Sequence, residues 1–176
     1  MRHELTSARP PAPSSRRRPS AASFQEEAEV SDQLAVPARS RAILAAAAAR
    51  IIPSDDGPGA READAAEYVV GALSDPFHRH FAELFGRGLE LLQYTARQQF
   101  ESDFVDCTAE QQDTVLCTVQ EYPNNEARRF FVELVQLVLE GFLGDPRHGG
   151  NRGRAGWRCI GYRPLDAAGC REPEGR

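Results

Sequence analysis

The residues best suited to chemistry lie in a glycine-rich segment near the C-terminal end, residues 144–162. Asp145 and His148 could act there as an acid/base pair, because histidine exchanges protons near neutral pH. A general base must also reach a substrate and a partner, and a single histidine in a glycine-rich loop is more often a hydrogen-bonding residue. We therefore predict that this chain contains no catalytic residue.

The acidic residues of the chain also suggest a metal-binding site. Asp55 and Asp56, joined by Asp145, would offer carboxylate ligands to a metal ion. Paired aspartates beside a Pro-Gly turn, however, more often cap a helix or hold the turn. We predict no metal ligand in the chain and a structural turn formed by Pro53, Asp55, Asp56 and Gly59.

The glycines do not predict a nucleotide site either. A phosphate loop needs the pattern Gly-x-x-x-x-Gly-Lys-Ser/Thr, which this segment does not have. A dinucleotide-binding fingerprint follows a β-strand, and no alternating strand pattern occurs anywhere in the sequence. We expect no cofactor to be bound by this chain.

The four cysteines have two expected roles. Cys107 and Cys117 have helical surroundings, where isolated cysteine commonly serves as a small buried hydrophobe. Cys159 and Cys170 lie in a loop-like region and could form a disulfide if the protein is exported. Their spacing lacks the close pairs of zinc sites, and it leaves the redox state of all four cysteines open.

Charge and hydropathy argue against several classes of protein. A formal net charge of −5 and a sequence pI of 5.4 do not suit nucleic-acid binding, which favours a basic surface. A DNA-binding regulator would need a basic recognition helix, and a stand-alone helical oxidoreductase would need Glu-x-x-His pairs on facing helices. Nothing approaches the roughly 18 consecutive apolar residues of a membrane span.

Residues 1–38 are predicted to form a disordered tail, because they hold many prolines and few large apolar side chains and cannot offset their ordering entropy by burial. The run Ser15-Arg16-Arg17-Arg18 is similar to a twin-arginine export signal. The apolar stretch of about 7–15 residues that should follow such a signal is missing. The chain as it stands is thus expected in the cytoplasm, with an extracytoplasmic location if it is exported.

The helical patterns predict an all-α fold, a single compact domain of about five helices over residues 39–164, followed by a flexible tail over 165–176. Thr108 and Gln111 fit a capping box that opens the fourth helix. Ser74-Asp75-Pro76 resembles a helix start, with proline at the first helical position. The helices are expected at residues 40–51, 61–73, 76–100, 109–122 and 126–143.

The last helix carries few polar side chains, which form one narrow stripe: Arg129, Glu133, Gln136 and Glu140. Apolar residues cover the rest of its circumference, and such a helix is buried on most sides. Either this is the central helix of the domain, which needs one buried core, or one of its sides meets another protein. The composition alone leaves both interpretations open.

The segment that follows this helix resembles a known family: the small subunit (subunit 3, or gamma subunit) of membrane-associated gluconate 2-dehydrogenase and related flavin-dependent dehydrogenases. The resemblance also includes the turn after the first helix and the fourth helix, and it covers about residues 41–164. The matching motifs are Leu139-Glu140-Gly141-Phe142, Asp145-Pro146, Gly149-Gly150-Asn151-Arg152, Gly156-Trp157, Ile160-Gly161-Tyr162, Ile51-Ile52-Pro53, Asp55-Asp56, Pro58-Gly59-Ala60 and Gln111-Gln112-Asp113.

The resemblance implies a non-catalytic helical subunit that binds a large flavoprotein of the glucose-methanol-choline type. That flavoprotein would carry FAD and choose the substrate, and a cytochrome c subunit with haem c would accept electrons. The small subunit would support the folding, stability or export of the flavoprotein. Family members usually carry a twin-arginine signal, and this chain departs from that pattern.

The family motif is therefore also a candidate interface, although a purely structural role is equally open. Trp157, the only tryptophan, would be either a plug over the core or an interface anchor, a role in which tryptophan is enriched. The candidate interface residues are Asp145, Pro146, His148, Gly149, Gly150, Asn151, Arg152, Gly156, Trp157, Gly161 and Tyr162.

Overall fold

The computed structural model describes residues 36–75 and 79–165. Over these ranges it contains α-helices and short 3-10 turns and no β-strand, which confirms the all-α prediction. The helices are α1 (Ala38–Ile51), α2 (Ala65–Ser74), α3 (Ala82–Phe100), α4 (Ala109–Gln120), α5 (Asn125–Leu143) and the short α6 (Ala155–Cys159). The 3-10 turns are Arg79–Phe81, Phe104–Asp106, Pro146–His148 and Arg152–Arg154.

Two of the predicted segments fall largely outside the described ranges. Of the expected tails, residues 1–38 and 165–176, the structure describes only residues 36–38 and Leu165. Helix α1 begins at Ala38, so the last residue of the predicted N-terminal tail is helical.

Local capping explains where α4 and α5 begin. Thr108 and Gln111 form the predicted capping box of α4, since each side chain hydrogen-bonds the other residue's backbone N–H. The Asn124 side chain accepts a hydrogen bond of 2.8 Å from the backbone of Glu126 and thereby caps α5. Each cap satisfies backbone N–H groups that have no partner inside the helix.

Two helices start later than their patterns predict. The chain forms a turn at 61–64, with Asp64 in the left-handed region at φ 53°, and α2 begins only at Ala65. The 3-10 turn Arg79–Phe81 precedes α3, whose first residue is Ala82. In the predicted start at Ser74-Asp75-Pro76, Ser74 is instead the last residue of α2 and Asp75 its C-terminal cap residue, while Pro76 lies outside the described residues.

Helix α5 lies at the centre of the domain and contacts each of the other five helices in the described part of the chain. Its Phe130 ring is completely buried and meets Phe85 of α3 edge to face, with ring centroids 5.4 Å apart. Gly88 of α3 lies directly against the same ring, and Gly141 of α5 lies against Tyr68 of α2. Small residues at these two positions let the helix backbones approach closely.

The central position of α5 does not bury its whole apolar circumference. Val132 is 61% exposed, Leu139 42% and Leu143 37%. The first interpretation left open by the sequence, a central helix, is thus confirmed, and the second, contact with another protein, stays a prediction. The helix is central to the core, and one of its apolar sides faces outwards.

The burial of the cysteines differs from the prediction at one position, Cys117. Cys107 is buried as expected, but Cys117 is exposed, because it lies on the outer side of α4. Cys159 is exposed, and its thiol lies 3.6 Å from the Pro58 carbonyl. Cys170, its suggested disulfide partner, falls outside the described residues.

The glycine on the buried face of α3 gives a first test. In Gly88→Ala the added methyl group would overlap the Phe130 ring, and overpacking of this kind costs about 1–3 kcal/mol. We expect urea unfolding to show a loss of stability of that size. Gly86→Ala is the matched control on the same helix, where an added methyl group meets nothing within 4 Å. That variant should gain about 0.5–1 kcal/mol in helix propensity. Equal gains in both variants would contradict the close α3–α5 contact.

Candidate functional site

The turn after α1 is held by a carboxylate that the sequence analysis did not single out. Glu62 accepts hydrogen bonds from the Ser54 hydroxyl at 2.6 Å and from the Gly59 N–H at 2.8 Å. These bonds, that from Ser54 above all, lower the pKa of Glu62. Gly59 is needed because a Cβ there would lie 2.5 Å from the Ile52 carbonyl oxygen.

Asp55 and Asp56 lie in this turn with exposed side chains. Among the residues that the structure describes, no group of three His, Cys, Asp or Glu side chains could hold a metal ion. The hydrogen bonds that Ser54 and Gly59 donate to Glu62 hold the turn in its shape. The only signal of this arrangement in the sequence is a glutamate three residues after the glycine.

Asn151 is the organising residue of the glycine-rich segment. Its side chain is completely buried, and its backbone lies in the left-handed region at φ 49°. The side-chain amide donates to the Gly144 carbonyl at 2.8 Å and accepts from the Gly156 N–H at 2.9 Å. Its backbone N–H donates to the Gly141 carbonyl at 2.6 Å. One residue thus joins the C-terminal end of α5 to the N-terminal end of α6.

Trp157 completes the same connection. Its indole N–H donates to the Leu143 carbonyl at 2.6 Å. The last carbonyl groups of a helix have no partner inside the helix. Here those of Gly141, Leu143 and Gly144 accept hydrogen bonds from residues that follow in the chain. The segment is a long-range cap on α5.

Two glycines of the motif make room for this cap. A Cβ on Gly150 would overlap the Gly141 carbonyl oxygen, and one on Gly156 would overlap the Phe142 carbonyl oxygen. The glycines therefore allow two chain segments to meet backbone against backbone.

Arg152 ties the segment to the turn that precedes α2. Its backbone N–H donates to the Ala63 carbonyl at 3.0 Å. Its guanidinium pairs with Asp64 at 2.6 Å. Since these residues immediately precede α2, the cap on α5 and the start of α2 are fixed together.

Asp145 is half-buried and His148 is exposed, and the Asp145 carboxylate pairs with Arg147 rather than with His148. The Asp145 carboxylate accepts from the Arg147 backbone at 3.0 Å and pairs with the Arg147 guanidinium at 2.5 Å. The bonds to Arg147 lower the pKa of Asp145 to about 2. His148 contacts Asp145 through the backbone, since its N–H donates to the Asp145 carbonyl. Pro146 follows Asp145 as the first residue of this 3-10 turn.

The end of the motif places two aromatic rings together near the surface. Tyr162 is 51% exposed, and its ring meets that of the half-buried Trp157 edge to face at a centroid distance of 5.0 Å. The Tyr162 N–H donates to the Trp157 carbonyl at 2.8 Å, across Gly161 at φ 64°. The Arg154 guanidinium lies over the Trp157 ring at 5.9 Å.

The Gln111-Gln112-Asp113 motif also serves the fold. Buried Gln112 donates to the Phe104 carbonyl at 2.9 Å, and Gln93 of α3 accepts from the Phe104 N–H. Asp113 forms a two-point ion pair with Arg50 of α1 at 2.7 and 2.8 Å. Sequence reasoning did not find Gln93, whose spacing gives no signal apart from a polar residue on a buried face.

Asn151 gives the test of this long-range cap. In Asn151→Ala the Gly144 carbonyl and the Gly156 N–H lose their partners, and each unsatisfied buried group costs about 1–3 kcal/mol. Alanine is also strained in the left-handed region, by about 1–2 kcal/mol. We expect Asn151→Ala to lower the free energy of unfolding and to shift the emission of the single tryptophan towards that of an exposed indole.

Asn151→Gly separates the two contributions, because glycine adopts the left-handed conformation without strain. It should lose the hydrogen bonds but recover about 1 kcal/mol relative to alanine. Native stability and unchanged fluorescence in both variants would contradict the organising role of Asn151.

Comparison with known proteins gives a family match. A family model described as Gluconate 2-dehydrogenase subunit 3 matches residues 38–164, which include all of the helices and motifs described above. No curated protein and no solved structure matches the chain. No helix within the described residues has the length and apolar character needed to cross a membrane.

Proposed function

Because the chain belongs to the gluconate 2-dehydrogenase subunit 3 family, we propose that it is the non-catalytic small subunit of an FAD-dependent dehydrogenase that oxidises sugars or alcohols. In this proposal FAD and the substrate site belong to a large flavoprotein of the glucose-methanol-choline type. A cytochrome c subunit with haem c is a further component that would receive the electrons. The small subunit supports the folding, stability or export of the large one.

One observation supports the non-catalytic role above the others: the polar groups of the family motif are occupied in holding the chain together. Asn151 and Trp157 cap the end of α5, and Arg152 anchors the turn before α2. The Asp145 carboxylate is engaged by Arg147 and is strongly acidic. A carboxylate with so low a pKa is a poor proton acceptor at neutral pH, since the best general bases have a pKa near the working pH.

The partnership is tested by isolating the tagged chain from its native host. We expect a yellow complex whose absorbance spectrum shows flavin and whose mass spectrum contains a much larger flavoprotein. The same preparation from a strain with the untagged chain controls for non-specific capture. A second strain, which lacks the chain, should contain a smaller amount of soluble large subunit loaded with FAD. A colourless, folded chain that elutes alone would contradict the proposal.

The non-catalytic role has a separate test in the assembled complex. We expect His148→Ala and Asp145→Asn to leave kcat close to the unaltered value, because neither side chain has a proton-transfer role. Asparagine at 145 can still accept the Arg147 N–H bond that closes the turn. General acid–base groups contribute about 100-fold or more to rate. A loss of that size, with a normal yield of complex, would show that this subunit takes part in the reaction.

A further inference from the structure

The outward side of α5 carries a line of exposed apolar residues. Val132, Leu139 and Leu143 are all exposed, and their spacing of seven and then four residues places them on one line along the helix. Half-buried Val135 borders this line on one side and exposed Gln136 on the other. From Val132 to Leu143 the line is about 17 Å long at 1.5 Å per residue. Single exposed apolar residues are ordinary, but an aligned series at the surface is the pattern of an interaction site.

This line continues from α5 onto the family motif. Leu143 ends the helix, and its carbonyl accepts the hydrogen bond from Trp157. The Trp157 ring in turn meets the exposed ring of Tyr162. The α5 stripe, defined here as Val132, Leu139, Leu143, Trp157 and Tyr162, is thus a surface of aliphatic side chains that ends in two aromatic rings. Aromatic residues of this kind are enriched at the centres of protein interfaces.

Positive charge lies at both ends of the stripe, although the whole chain is acidic. Residues 144–163 contain five arginines and a single acidic residue, Asp145. Of these arginines, Arg158 is exposed and hydrogen-bonds a neutral carbonyl, that of Gly153. At the other end of the stripe the exposed Arg128 lies one helical turn before Val132.

The nearest acidic side chains of α5 do not share this surface. Glu133 and Glu140 each follow a stripe residue by one position, which turns them about 100° away around the helix. Both are half-buried, and Glu140 is engaged by Tyr68 and Gln136. The surface therefore has an apolar centre and basic ends.

We propose that the α5 stripe is the docking surface for the large flavoprotein subunit, which meets it with an apolar groove bordered by aspartate and glutamate side chains. This inference rests on the proposed function for the existence of that partner. The basic ends decide between the flavoprotein and a second copy of this chain. A two-fold dimer brings the same patch together from both sides, so arginines would face arginines, and like charges across an interface weaken it.

The test uses the complex of the full chain with its flavoprotein and measures their dissociation constant by biolayer interferometry. Val132→Asp and Leu139→Asp place a charge in the apolar centre and oppose the acidic border of the partner. Loss of a central interface residue weakens binding by about 30-fold or more, and we expect each variant to show a change of that size. Both residues are exposed, so circular dichroism should show unchanged thermal unfolding.

The matched control is Tyr94→Asp on α3, where the side chain is 59% exposed but lies outside the stripe. Its dissociation constant should stay within about twofold, the usual range of a neutral surface change. Arg128→Glu and Arg158→Glu should slow association most at low salt, because charges at the rim steer the encounter.

The outcomes separate this inference from the proposed function. If no flavoprotein accompanies the unaltered chain, the proposed function itself fails. If the flavoprotein binds and both stripe variants bind as tightly as Tyr94→Asp, the subunit role stands and the stripe is not the docking surface. Sedimentation of the isolated chain as a dimer that Leu139→Asp dissociates would make a second copy the occupant and overturn the proposal.

Discussion

The fold depends on how the C-terminal end of α5 is capped. A buried helix end must find partners for its last carbonyl groups, and here the partners come from seven to fourteen residues further along the chain. Asn151 supplies two of them, one from its backbone and one from its side chain, and Trp157 supplies a third. The course of the chain from Gly144 to α6 follows from this requirement. Because Arg152 also holds Ala63 and Asp64, the cap fixes the start of α2 as well.

Close backbone approach is the second constraint, and it brings α5 against α2, α3 and the segment that follows α5. Gly88 admits the Phe130 ring, Gly141 admits Tyr68, and Gly150 lets the chain pass over the Gly141 carbonyl. Each glycine lowers intrinsic helix or chain stability, by roughly 1 kcal/mol inside a helix. The burial of the large side chains packed against it offsets that cost. The result is a central helix with neighbours on most of its circumference and one side left open.

These two constraints give the family motif a double role. Its amide, indole and glycine groups are used inside the fold. The same bonds hold the Trp157 and Tyr162 rings at the surface, next to the end of the open side of α5. A segment that caps a helix can in this way also present side chains to a partner, because the cap removes the freedom that a glycine-rich chain would otherwise have.

The sequence by itself determined the helical class, the capping box of α4, the approximate extent of α1 and α5, and the family, since periodicity, capping residues and motif order are local signals. It could not determine that Asn151 is buried, that Glu62 and Gln93 hold turns, or that Val132 is exposed while Phe130 is buried. Those outcomes depend on which segments meet in space, and a helix that is apolar on all sides gives no local sign of the side left uncovered. Only the tertiary structure decided them, through the packing of α5 against its neighbours.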